Sequence, residues 1–244
     1  MRLASNIWKL YIIKASKWMT LFMPVIWLFY EENDLAISDL FLIQAIYSVT
    51  IALIEIPSGY VADVLGRKNS LIVGTFFGFL GIITYAFSFG FDGFLIAALC
   101  LGIGQSFTSG SDTALMYDTL VQLNRTDDFI KLEGRTISMG NFAEAIAFVI
   151  GGFLAEVSLR TPFYYQVGIA FVGFVTALLL VEPKFRRLTD GKSRPWKNIR
   201  NIIRFAVFEN KLLRAYICYS AIIGVTTLTM AWFVQPYFEQ LEVE

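Results

Sequence analysis

A run of apolar residues long enough to cross a bilayer excludes nearly every soluble fold, and this chain has such runs back to back. Leu40 to Val61 carries one charge, Glu55, and Ser70 to Phe89 carries none. Each reaches the roughly 20 residues a transmembrane helix needs. Only the short segment Gly59–Lys68 joins them, so the two form a transmembrane hairpin. The pattern continues along the chain. A first span is expected over Tyr11–Tyr30 with a kink at Pro24, a fourth over Phe94–Val121, a fifth over Ile137–Leu159 and a sixth over Phe163–Val181. A charge-free seventh follows at Ala215–Phe238. The turn between the third and fourth is expected at Gly90–Gly93 and a charged loop at Asn124–Arg135. Charged residues make up 16% of the 244 positions, against about 25% in soluble domains. The fold class is therefore an all-α, polytopic membrane protein. Residues 1–182 form a six-helix bundle, 183–214 a basic linker, and 215–244 a seventh transmembrane helix with its external end.

Net charge is zero, but its distribution is lopsided. With the N-terminus in the cytoplasm, nineteen of the twenty Lys and Arg residues fall on cytoplasmic segments and only Arg160 lies outside. The positive-inside rule thus predicts a cytoplasmic N-terminus and an external C-terminus in a plasma or inner membrane. That count takes Lys14 and Lys17 as snorkelling to the interface. An amphipathic helix on the inner leaflet is expected near Trp196–Arg204. The basic linker is read as a cytoplasmic loop and not as a nucleic-acid site, since Asp190 and Glu209 dilute it. The chain has no histidine, which removes histidine metal sites, Ser-His and Cys-His catalysis and histidine proton relays. Cys100 and Cys218 lie in apolar spans and are expected as small buried hydrophobes rather than a disulfide. No metal, cofactor or catalytic residue is expected.

Within the connector each residue type has a physical use. Gly59 would admit a close neighbouring backbone. Gly66 can take the positive φ that reverses the chain. Asp63 can accept from helix N-terminal amides or pair with a cation. Arg67 presents a planar fork and Lys68 a mobile charge. The set Gly59, Asp63, Gly66, Arg67 and Lys68 resembles, in identity and spacing, the signature between the second and third helices of the major facilitator superfamily. Six spans, a long basic loop and a seventh span resemble the same fold, which has twelve helices in two halves. The resemblance implies secondary transport of a small molecule by alternating access. It also implies that Asp118, at the inner end of the fourth span, pairs with Arg67 to hold one access state. It further implies that this chain supplies one half and one helix of the second, so that a missing second half or a second copy is required. The alternative reading is a truncated, non-transporting product. Position 98 is Ala98, where the family often has arginine ahead of glycines such as Gly102 and Gly104. The fifth span has Gly151-Gly152 but no Gly-Pro repeat.

Ionisable residues inside spans are costly and mark function. Glu55, Asp112 and Glu144 are expected at similar depth in the inner half. Gln105, Asp112 and Ser109 share a stripe with Met116 and Thr119, and Asn141 shares a face with Glu144. The polar run Gln105–Thr113 must line a cavity or a helix interface; Ser106 and Ser111 are read as interhelical hydrogen bonders. Glu55, Gln105, Asp112, Asn141 and Glu144 are the candidate substrate or proton cavity, and buried carboxylates make protons the expected coupling ion. Efflux is preferred over uptake. A seven-helix receptor would have its N-terminus outside, against the charge distribution. An intramembrane aspartyl protease would need a Gly-x-Gly-Asp partner for Tyr117-Asp118, which is absent.

Overall fold

A computed structural model describes residues 3–183 and 204–240. Contacts divide the chain into two units, Met1–Arg187 and Leu188–Glu244. In the first unit, six helical segments are long and apolar enough to cross a membrane: Leu3–Glu32, Ile37–Leu65, Arg67–Phe87, Gly90–Gln122, Thr126–Ala155 and Thr161–Leu178. They comprise α1 (Asn6–Trp18), α2 (Ile26–Glu32), α3 (Ile37–Leu65), α4 (Arg67–Phe87), α5 (Gly90–Thr108), α6 (Ser111–Gln122), α7 (Phe129–Ala155) and α8 (Thr161–Leu178).

Two of the six spans are broken. The first stops at Trp18 and resumes through a 3-10 turn at Met23–Val25 into α2. The interruption precedes Pro24, whose ring cannot sit in a continuous helix. A break inside a bilayer frees backbone groups that must be satisfied by protein. Here the Leu21 amide donates to Gln166 Oε1 at 2.9 Å, and the Leu21 carbonyl lies where a Cβ on Gly151 would be. Gly151 therefore makes room for the break. The fourth span is broken at Ser109-Gly110, with Gly110 at φ +70°. The carbonyls freed at the end of α5 are met from other spans. Ser58 donates to Ser106 O at 2.9 Å and Ser70 to Phe107 O at 2.7 Å.

Small residues set the closest packing. A Cβ on Gly104 would stand 2.7 Å from both Gly74 O and Gly78 N, so α4 and α5 touch backbone to backbone. The core near one end is aromatic: Phe29 and Phe163 lie 4.2 Å apart, Tyr30 and Phe94 5.2 Å, and Tyr30 and Tyr85 share a 2.6 Å hydroxyl bond. At this end Arg160 gathers the loops. Its guanidinium donates to Ala86 O, Ser88 O and Asn33 Oδ1 at 2.8–3.0 Å and stacks on Phe89 at 4.1 Å. At the other end Asn6, fully buried, clamps the chain leaving α8. It donates to Val181 O at 2.7 Å and Thr119 Oγ1 at 3.1 Å, and accepts from Val181 N at 3.0 Å.

Several expected boundaries shift. The helix of the second span runs on to Leu65, so Gly66 alone is the reversal. Gly90 starts α5 with φ +73° and Gly93 lies inside that helix, where a Cβ would strike Ser88. The expected charged loop at 124–135 is largely helix, because α7 begins at Phe129. In the second unit, Asn210 caps α9 (Lys211–Gln240) by accepting from Leu213 N at 3.0 Å. The expected seventh span falls on this helix. Cys100 is half-buried and Cys218 exposed, both free thiols; Cys218 is thus not the buried hydrophobe expected. The amphipathic segment expected at 196–204 lies, up to residue 203, outside the described residues.

Candidate functional site

The signature residues converge on one end of the bundle. Gly66 has φ +100°, a conformation open to glycine and strained for other residues. Arg67 then begins α4, and its side chain folds back over the preceding helix. Its Nη2 lies 3.2 Å from Asp63 Oδ1, and its Nε 3.1 Å from Asp118 Oδ2. The Asp63 side chain is 62% exposed, those of Arg67 and Asp118 22% each. Screening therefore weakens the first contact and spares the second. The exposed amides at the start of α4 are capped by neither aspartate. Glu182, just past α8, accepts from Arg67 N at 3.0 Å and Lys68 N at 2.8 Å. A carboxylate on two amides at a helix N-terminus is favoured by the helix dipole. Glu182 was not singled out from sequence, although it ends an apolar run at the level of the signature. Gly59 differs from expectation: a Cβ there would meet nothing within 4 Å, and the residue is exposed. Among the described residues it has no close backbone neighbour.

A second site lies deeper, where the breaks of the first and fourth spans meet. Lys14 Nζ is 2.9 Å from Asp112 Oδ2, with side chains only 16% and 14% exposed. Lys17 Nζ donates to Thr108 Oγ1 at 3.3 Å, and Asp112 and Lys14 are its electrostatic neighbours. Both lysines therefore face a polar interior, which corrects the expectation that they snorkel. Lys17 is about 20 Å along the span from Leu3 at 1.5 Å per residue, so the surface was too far to reach. The helix break explains the arrangement. Asp112 sits in the first turn of α6 and accepts from Thr113 N at 2.9 Å, at the positive pole of that helix. The Lys17 ammonium meets Thr108, the last residue of α5, at the negative pole of that helix. Thr113 in turn donates to Glu133 Oε1 at 2.9 Å, a carboxylate on the unexpected first turns of α7.

The remaining candidates divide. Glu55 Oε1 accepts from Ser109 Oγ at 3.3 Å, which puts it beside the break of the fourth span. Glu55 is ten residues from the end of α3 and Asp112 ten from the end of α6, or about 15 Å each. Glu144 is fifteen residues from the start of α7, about 22 Å. It is therefore deeper than expected, because that helix starts earlier, and is not at the level of the other two. Glu144 is half-buried and Asn141 exposed. The expected stripe on the fourth span fails past the break. Met116 is 1% exposed, and Thr119 is fully buried as an acceptor for Asn6. Gln105 is half-buried and lends its backbone carbonyl to Ser109 N at 2.9 Å. Ser106 and Ser111 act between helices as expected, on Ile51 O at 3.3 Å and Ser70 Oγ at 3.0 Å. Among the described residues, no cluster of three or more Cys, Asp or Glu groups has metal-binding geometry.

Comparison with known proteins places this architecture. The model of the Major Facilitator Superfamily matches residues 14–241. The chain is 24% identical over 188 residues to the quinolone resistance protein NorA of Staphylococcus aureus, covering 77% of this chain and 47% of that protein. It is 26% identical over 159 residues to an uncharacterised MFS-type transporter of Methanocaldococcus jannaschii, covering 64% of this chain and 38% of that one. The chain spans about half the length, or less, of the curated relatives it matches.

Proposed function

The chain belongs to the Major Facilitator Superfamily, whose members are transporters and not enzymes, and on that premise we propose that it forms the gating half of a secondary transporter moving a small molecule by alternating access. The observation that carries the proposal is the Arg67–Asp118 pair at 3.1 Å. It ties the first turn of α4 to α6, the inner piece of a broken span that also holds Asp112. Alternating access takes two bundles around one site, so the proposal requires a second bundle, from further chain or from a second copy. We propose the cytoplasm for the N-terminus and for the Gly66 end, with Arg160 outside, on the strength of the basic residues near Gly66. The membrane proposed is the plasma or inner membrane, and the C-terminus is placed outside.

Proton coupling is proposed at Asp112 and Glu144. Their situations differ. Asp112 already holds Lys14, so a proton there would release the lysine. Glu144 has no hydrogen bond or ion pair to another described residue, so its proton would exchange without breaking one. Efflux is preferred over uptake because NorA is named for resistance. The proposal is tested in proteoliposomes. The 244-residue chain by itself is expected to insert and show no saturable flux under a proton gradient. Flux is expected when a second bundle is supplied. Saturable uptake by the chain alone would place both bundles in a homodimer. No flux with any second bundle would overturn the transport reading.

A further inference from the structure

We infer that the deep site carries an unmatched positive charge and binds the anionic group, a carboxylate, of the transported small molecule at Lys17. The inference rests on the transport reading above and adds the substrate class. One carboxylate, Asp112, serves two ammonium groups. Lys14 takes it at 2.9 Å. Lys17 has only a 3.3 Å contact to the Thr108 hydroxyl, though an ammonium has three protons to donate. That hydroxyl also donates at 2.9 Å to Gly104 O in its own helix. The other carboxylates of the neighbouring spans do not complete the set. Glu55 is held by Ser109 and Glu133 by Thr113, and neither they nor Glu144 forms an ion pair with Lys17. The negative poles of α5 and of α1, whose last turn holds Lys17, supply about half a charge each and the positive pole of α6 returns as much, so the imbalance is reduced and stays positive. An uncompensated charge at this depth is expensive unless something pairs with it.

The backbone gives independent support. Lys17 is two residues from the break in the first span, and Thr108 and Asp112 flank the break in the fourth. Discontinuous helices that meet are the arrangement in which transporters hold charged ligands, with anions at half-helix N-termini, and the N-terminus of α6 at this site is such a pole. The chemistry that fits Lys17 is a planar or tetrahedral oxyanion, and of these a carboxylate is the group that the neighbouring Lys14 already holds, in Asp112 at 2.9 Å.

The experiment uses the purified 244-residue chain in detergent and three probes of one shape: benzoate, neutral benzamide and cationic benzylammonium, at constant ionic strength. Thermal unfolding is followed by tryptophan fluorescence. Benzoate is expected to raise the midpoint by about 2–4 °C over benzamide. Lys17→Gln is expected to abolish that difference and Lys17→Arg to keep it. Equal midpoints with benzoate and benzamide, or a larger rise with benzylammonium, would overturn the inference using the unaltered chain alone, whether or not Lys17→Gln folds. A benzoate effect that survives in Lys17→Gln would also overturn it. The two readings fail separately. Benzoate binding that needs Lys17, in a protein that transports nothing, breaks the transport reading. Flux of neutral or cationic solutes without benzoate binding breaks the anion site.

Discussion

Gly66 shows how much one residue can set. Its φ of +100° reverses the chain, and a Cβ there would stand 2.8 Å from a Glu182 carboxylate oxygen. Gly66→Ala therefore incurs both backbone strain and displacement of the cap on α4. The expected loss is about 1–3 kcal/mol, read as a lower unfolding midpoint in detergent. Gly59→Ala, in open space, should stay within about 0.5 kcal/mol. Equal effects at the two glycines would mean that the cap contributes nothing. The neighbouring Arg67 is a different case, because its contact is between helices. Arg67→Ala or Asp118→Ala is expected to lower transport by the completed transporter roughly 5- to 150-fold, the range of a typical coupling free energy, with little change in expression. The swap Arg67→Asp with Asp118→Arg should recover part of it. Normal transport in both single variants would remove the pair from the gate.

At the scale of elements, the breaks in the first and fourth spans organise the bundle. The break in the fourth survives because Ser58 and Ser70 satisfy the carbonyls it frees. Ser70→Ala leaves Phe107 O and the Ser111 hydroxyl each one partner short. A loss of about 1–3 kcal/mol is expected, and Ser109→Ala, whose hydroxyl reaches only an exposed Glu55 contact, should lose less. Asp112 and Glu144, proposed for coupling, are on different helices, α6 and α7. Glu144→Gln is expected to abolish pH-driven accumulation in proteoliposomes while substrate exchange continues. Asp112→Asn is expected to impair both, because it also strands Lys14. Intact pH-driven accumulation in Glu144→Gln would remove that residue from coupling.

For the whole molecule the testable quantity is orientation. The basic residues of the Gly66 end predict that this end faces the cytoplasm. Moving Lys14 and Lys17 out of the interfacial count takes two charges from nineteen and does not change the sign of the bias. Reporter fusions after Asp190 and after Glu244 are expected on opposite sides of the membrane. The same side for both would show that α9 does not cross.

The sequence by itself determined the spans, the reversal at Gly66 and the family, for one reason. Apolar length and glycine chemistry act locally, so they can be read along the chain. The Arg67–Asp118 contact was legible only through resemblance, since the residues are fifty-one apart. The tertiary structure decided where helices stop inside the membrane. A polar run such as Gln105–Thr113 fits a continuous helix lining a cavity as well as a broken one. Ser58 and Ser70, on other spans, satisfy carbonyls that the break frees. That choice then fixed the rest. It ended the regular stripe before Met116, turned Asp112 towards Lys14, and brought Lys17 to the end of α5. Snorkelling was the local expectation for both lysines; a partner nearly a hundred residues away kept Lys14 inside.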